Sequence, residues 1–102
     1  MLLLYLYCMS SAVILKELMQ IPGVGKSIAQ DLYAIGIRRV SDLAGRDPQA
    51  LYEAANRVAG CTQDRCLLYV FRCAVYFAET PREAHDPEKL QWWCWKDKTP
   101  AR

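Results

Sequence analysis

The sequence predicts a small all-α fold, a compact bundle of about five or six helices. Three observations predict it. Apolar residues recur three and four apart, the spacing that lays one stripe along a helix. Gly and Pro punctuate these periodic stretches and so open or close helices. No stretch alternates apolar with polar residues as a half-buried strand would. A chain of 102 residues with 53% hydrophobic and 24% charged side chains is globular in composition and long enough for one modest core. The reading is a single helical domain over residues 1–97 and a loose tail over 98–102.

The elements follow in order. The apolar start, Met1 to Leu15, has no positive leader and is shorter than the ~20 residues a membrane-spanning helix needs, so it reads as the opening of a core helix. A helical stretch runs from about Ala12 to Gln20 and breaks at Ile21-Pro22-Gly23-Val24-Gly25. Lys26 to Ile35 forms the next helix, with Ile28, Ala29, Leu32 and Tyr33 on one stripe and Gly36 as its C-terminal stop. Ser41 caps a brief helix, Asp42 to Ala44. Asp47-Pro48 opens another, buried through Leu51, Ala54, Ala55 and Val58 and ended by Gly60. Thr62 to Phe77 is apolar on most sides and belongs at the centre, with Pro81 beyond its end. Asp86-Pro87 caps a last helix carrying Leu90, Trp92, Trp93 and Trp95, the tryptophans forming a lid over the core.

The formal net charge is +2, short of what a protein that coats nucleic acid would carry. Its placement is more telling. Lys26, Arg38, Arg39 and Arg46 face only Asp31 and Asp42 within residues 19–46, and the rest of the chain balances. The five cysteines (8, 61, 66, 73 and 94) are odd in number and contain no C-x-x-C pair, which suits reduced thiols in a cytoplasmic protein. Cys66 and Cys73 lie about 10.5 Å apart along one helix, too far to share a zinc ion or a disulfide. They read as small buried hydrophobes. Cys61 and Cys66 stay open as redox-sensing thiols. One histidine, no recognisable nucleophile setting and no phosphate loop argue against an enzyme.

The informative stretch is Leu18-Met-Gln-Ile-Pro-Gly-Val-Gly-Lys-Ser-Ile-Ala-Gln-Asp-Leu32. Two helices meet at a turn with glycines two apart. Gly23 and Gly25 can take positive φ and keep side chains away from an approaching molecule. Val24 points back and pins the turn. The turn opens into a helix N-terminus, where unpaired amides and the helix dipole favour an anion, and Lys26 and Ser27 add a charge and a hydroxyl. Such a site grips one phosphate at a time and reads no base edges.

This stretch resembles the helix-hairpin-helix motif of DNA repair and recombination proteins, placed here at about residues 12–45. Ala34-Ile-Gly-Ile-Arg-Arg-Val-Ser-Asp-Leu-Ala44 is similar to the second half of that motif. Asp64-Arg-Cys-Leu-Leu-Tyr-Val-Phe-Arg-Cys-Ala-Val-Tyr76 and Leu90-Gln-Trp-Trp-Cys-Trp-Lys-Asp97 resemble the small bacterial helix-hairpin-helix proteins of the pathogenicity-locus family, so the likeness spans roughly residues 16–97. The resemblance implies DNA binding without sequence preference, with Pro22, Gly23, Val24, Gly25, Lys26 and Ser27 at the phosphate. The amides of Gly23, Val24 and Gly25 and the Lys26 side chain would face it. It also implies a monovalent cation on the carbonyls of Met19, Ile21 and Val24. Arg38 and Arg39, in the charged segment after the second helix, join the list of DNA-binding candidates. The chain has one clear Gly-x-Gly where many DNA-binding relatives use two hairpins.

The competing expectation is an architectural hairpin in a protein-interaction or self-association module, with a protein partner or a homodimer docked on the tryptophans. A further stripe, Arg65, Tyr69, Arg72 and Tyr76, shares one face of the long helix. The favoured reading there is packing, with both arginines paired to acids such as Asp64 or Glu79.

Overall fold

The structure, a computed structural model, describes residues 10–97; the apolar start before Ser10 and the tail 98–102 lie outside the described residues. Ser10 opens the first helix by accepting the Val13 amide on its hydroxyl at 3.3 Å. Helix α1, Ser11–Leu18, buries Ile14 and Leu18. Helix α2, Lys26–Ala34, buries Ala29 and Leu32 fully and Ile28 and Tyr33 in part. It ends in a Schellman arrangement: the Ile37 amide reaches back to the Leu32 carbonyl at 3.0 Å while Gly36 takes φ +100°. Ile37, wholly buried, packs into the core beyond that bend.

The connector to the next helix is a 3-10 turn, Val40–Leu43, capped by Arg39 and so starting two residues earlier than Ser41 capping implies. Its start is held by Asp42, whose Oδ2 accepts the amides of Arg38 and Arg39 at 3.0 and 3.1 Å. Helix α3, Pro48–Ala59, begins as expected, with the Asp47 carboxylate accepting the Gln49 amide at 3.1 Å. Its buried residues are Leu51, Tyr52 and Ala55. Val58 is 61% exposed and does not belong to the buried stripe, and Tyr52 takes part in the core instead. The Tyr52 hydroxyl donates to the Gln63 carbonyl, which explains how a polar ring tip can be buried there.

Helix α4 runs from Cys66 to Glu79 and not from Thr62. Residues 60–65 form a loop tied to α3: the Gln63 amide donates to Asn56 Oδ1 at 2.9 Å, and Asp64 Oδ1 takes the Cys66 amide at 2.8 Å. Leu67, Leu68, Val70, Phe71, Cys73, Ala74 and Val75 are buried, so α4 is the central helix. Around it stand α3, the Val40–Leu43 turn and the C-terminal segment. Each fully buried Leu or Phe contributes on the order of 1.5–3 kcal/mol of transfer free energy.

The described residues hold four α-helices and no strand, against the five or six helices expected. The difference lies at Val40–Leu43, a 3-10 turn where a brief helix was expected, and beyond Pro81. In place of one last helix there are three 3-10 turns, Arg82–Ala84, Pro87–Leu90 and Trp92–Trp95, separated by extended residues. This segment is a strap held by tertiary bonds. Trp95 Nε1 donates to the Lys89 carbonyl at 2.8 Å, and Arg72 Nη1 donates to the Trp95 carbonyl at 2.8 Å. The tryptophans are not a uniform lid: Trp92 packs against the core, while Trp93 is 50% exposed. Among the described residues no helix is long and apolar enough to cross a membrane.

Candidate nucleic-acid interface

The turn between α1 and α2 is built from its main chain. The Val24 amide donates to the Ile21 carbonyl at 3.0 Å, and both side chains are buried. The Val24 amide, expected to face a phosphate, is therefore spent on closing the turn. Its side chain is the pin that the sequence implies. Pro22 is half-buried between them.

The two glycines do different work. Gly23 has φ +85°, a conformation few side chains tolerate, and a β-carbon there would stand 3.1 Å from Trp92 Cδ1. Gly25 does not take positive φ. It is the N-cap of α2 at φ −92°, ψ −170°, ordinary extended backbone, and a β-carbon there would meet nothing within 4 Å. The fold does not require a glycine at 25. What its missing side chain leaves bare is the start of α2.

That start carries unspent donors. Among the described residues no acceptor meets the amides of Gly23, Gly25, Lys26, Ser27 or Ile28. Gly23, Gly25, Lys26 and Ser27 are exposed, and Lys26 has no carboxylate partner among the described residues. Of the carbonyls at the cation positions, Ile21 accepts the Val24 amide, while Met19 and Val24 receive no backbone N–H among the described residues. Three neutral carbonyl oxygens are a donor set that suits a hard monovalent cation.

An open groove of about 340 Å³ lies beside the hairpin, lined by Gly23, Ser27 and Asp31 on one side and Asp64, Cys66 and Trp92 on the other. Burial pushes the Asp31 carboxyl above its ordinary range, and the Cys66 amide and thiol hold Asp64 below its own. Two carboxyl groups make this groove a poor seat for phosphate. Lys26 does not share it: at 3.6 residues per turn it stands roughly 140° around α2 from Asp31. Gly25 and Lys26 are exposed and lie outside the lining of this groove.

The two arginines are placed apart from this site. They follow the C-terminal end of α2, roughly 12 Å along the helix axis from its Lys26 start. Arg38 is folded back, donating to the Tyr33 carbonyl at 2.7 Å with its guanidinium carbon 3.9 Å from the centre of the Tyr33 ring. Arg39 is exposed and has no carboxylate partner among the described residues. The stripe on α4 is packed, though not against Asp64 or Glu79. Asp97 takes Arg65 Nε at 2.7 Å and Arg72 Nη2 at 2.9 Å, and Tyr69 donates to it as well. Asp64 and Glu79 instead accept the backbone amides of Cys66 and Gly45.

Sequence reasoning did not foresee that Trp92 backs the hairpin or that Asp31 faces the groove. Asp31 carried a signal, since it lies four residues after Ser27 and so on the same face of α2. Trp92 carried none, because its approach depends on the path of the strap.

The family model of Cdd1, described as pathogenicity locus, matches residues 11–101. The mitomycin resistance protein McrB of Streptomyces lavendulae is 38% identical over 63 residues, 62% of this chain and 60% of that protein. The chain thus matches about three-fifths of that relative's length. No solved structure matches the chain. With nearly all of the described residues inside the matched range, the chain belongs to the Cdd1 pathogenicity locus family.

Proposed function

We propose that the protein binds DNA without sequence preference, as an accessory module in which the α1–α2 turn acts as a helix-hairpin-helix. The amides of Gly23, Gly25, Lys26 and Ser27 hold a phosphate oxygen, and Lys26 supplies the charge. The observation that carries this reading is Gly25: a residue with no conformational or packing need to be glycine, at a helix start where four exposed residues have amides without acceptors among the described residues. A bare N-terminus of this kind suits a closely approaching anion. The carbonyls of Met19, Ile21 and Val24 would hold a monovalent cation, which adds positive charge beside the same phosphate.

Arg39 extends the contact along the backbone, and Arg38 does so with whatever donors its Tyr33 contacts leave over. A footprint of two or three phosphates is weak and salt-sensitive. Raising salt from 50 to 200 mM lowers affinity roughly 10- to 40-fold at a slope of about 0.9 per phosphate. The test is a duplex titration at those two salts, for the wild type and Lys26→Glu. Binding that ignores both salt and the charge reversal would overturn the reading.

A second reading, a protein-docking or self-association module, draws on Trp93, which is half exposed and set edge-on to Trp92 with ring centres 5.8 Å apart. Sedimentation of the wild type and Trp93→Ala separates it from the first. A dimer lost with Trp93, and DNA affinity absent throughout, would favour docking.

A further inference from the structure

Where the strap crosses α4 it leaves an open cleft of about 550 Å³, lined by Arg72, Lys89, Cys94, Trp95, Lys96 and Asp97. Its charge is lopsided. Asp97 is shared by Arg65 and Arg72, and neither Lys89 nor Lys96 has a carboxylate partner among the described residues. Its aromatic wall is fixed: the Trp95 ring is held by the Nε1 bond to the Lys89 carbonyl and packs on Tyr76 with ring centres 5.6 Å apart. Cations around an immobilised indole are the elements of a site for one unpaired nucleotide, its base on the ring and its phosphate on the lysines.

The cleft is also joined to the hairpin. The Trp92–Trp95 turn is a 3-10 helix, in which residues three apart eclipse one another about 6 Å along the axis. Trp92 at its start abuts Gly23, and Trp95 at its end lines the cleft. We infer that the Arg72–Lys89–Trp95–Lys96 cleft takes an unpaired base and its phosphate, so that the protein prefers single-stranded over fully paired DNA. This rests on the hairpin reading and adds the substrate class, since bases stacked within a duplex offer no free face to the indole.

The experiment is fluorescence anisotropy with the full chain. It uses oligothymidylate, an abasic strand and a duplex of equal length, in 0.1 M salt. The wild type binds oligothymidylate about tenfold tighter than the abasic strand and tighter than the duplex. The double variant Lys89→Gln/Lys96→Gln, both exposed, loses about tenfold for oligothymidylate, its salt slope falls by about 1.4, and duplex affinity holds. Gly25→Ser weakens binding to all three strands. Equal binding of the abasic strand and oligothymidylate, or equal losses on strand and duplex in the double variant, overturns the cleft and leaves the hairpin standing. A loss confined to the double variant, with Gly25→Ser silent, keeps the cleft and overturns the hairpin. Binding of none of the three by the wild type overturns both. Displacement of oligothymidylate by polyglutamate at equal charge overturns the cleft reading and assigns the cleft to acidic peptides.

Discussion

Trp92 occupies the space that a side chain at Gly23 would need: a β-carbon there would lie 3.1 Å from Trp92 Cδ1. The tip of the hairpin is therefore backed by the far end of the chain, and the two glycines of the Gly-x-Gly are not equivalent.

Gly23→Ala should destabilise the protein, because left-handed backbone costs a side chain about 1–2 kcal/mol and the indole must also shift. A fall in Tm of roughly 10 °C follows for a domain of this size. Gly25→Ser, in extended backbone with open space around it, should leave Tm within about 2 °C and still weaken DNA binding. Thermal melts of the two variants side by side check the contrast.

Asp97 should make stability depend on acid. Hydrogen bonds from Arg65 and Arg72 hold its carboxyl down at about 2, below the ordinary 3.8. A carboxyl whose folded pKa is depressed stabilises above its unfolded pKa, and that stabilisation is lost as pH falls through the folded value. The Tm advantage of the wild type over Asp97→Asn should be full above about pH 4 and fade towards pH 2. A difference that is constant across this range would mean the ion pairs contribute nothing pH-dependent.

Thiol labelling should order the described cysteines. Cys73 is buried and its thiol is pushed up to about 11 by burial, so it should resist alkylation until the protein unfolds. Cys61 and Cys94 are exposed and should react first, and Cys66, half-buried and raised by its bond to Asp64, should lag behind them. Mass spectrometry after timed alkylation reads the order. Fast labelling of Cys73 in the folded protein would contradict the packing of α4.

Core and surface should separate sharply along residues that look alike in sequence. Leu18 and Phe71 are wholly buried, and truncation to Ala should cost about 2–5 kcal/mol. Val58 sits at 61% exposure, and Val58→Ala should cost less than about 0.5 kcal/mol by urea denaturation.

These differences show what a linear reading could see. Helix starts and stops written in local chemistry were legible: the Asp47-Pro48 cap, the Gly36 stop and the apolar periods of α2 and α4 all lie within a few residues of what they control. The start of α4 was not, because the loop before it is set by Asn56 on another helix. The C-terminal strap looked helical since 3-10 turns share the apolar content of helices, and its path is dictated by Arg72 and Asp97, which meet only in three dimensions. In the candidate site, Gly25 and Lys26 were readable as a bare, charged helix start. The loss of the Val24 amide to the Ile21 carbonyl and the tether on Arg38 are details of turn closure and stacking that spacing does not encode.

In the function proposed above, main-chain amides at the start of α2 grip a phosphate. The most direct measurement is an amide proton and nitrogen correlation spectrum recorded while a short DNA is added. Shifts should concentrate at Gly23, Gly25, Lys26 and Ser27, with Val24 moving little because its amide is already bonded. Shifts that bypass these residues, or a spectrum unchanged at saturating DNA, would contradict it.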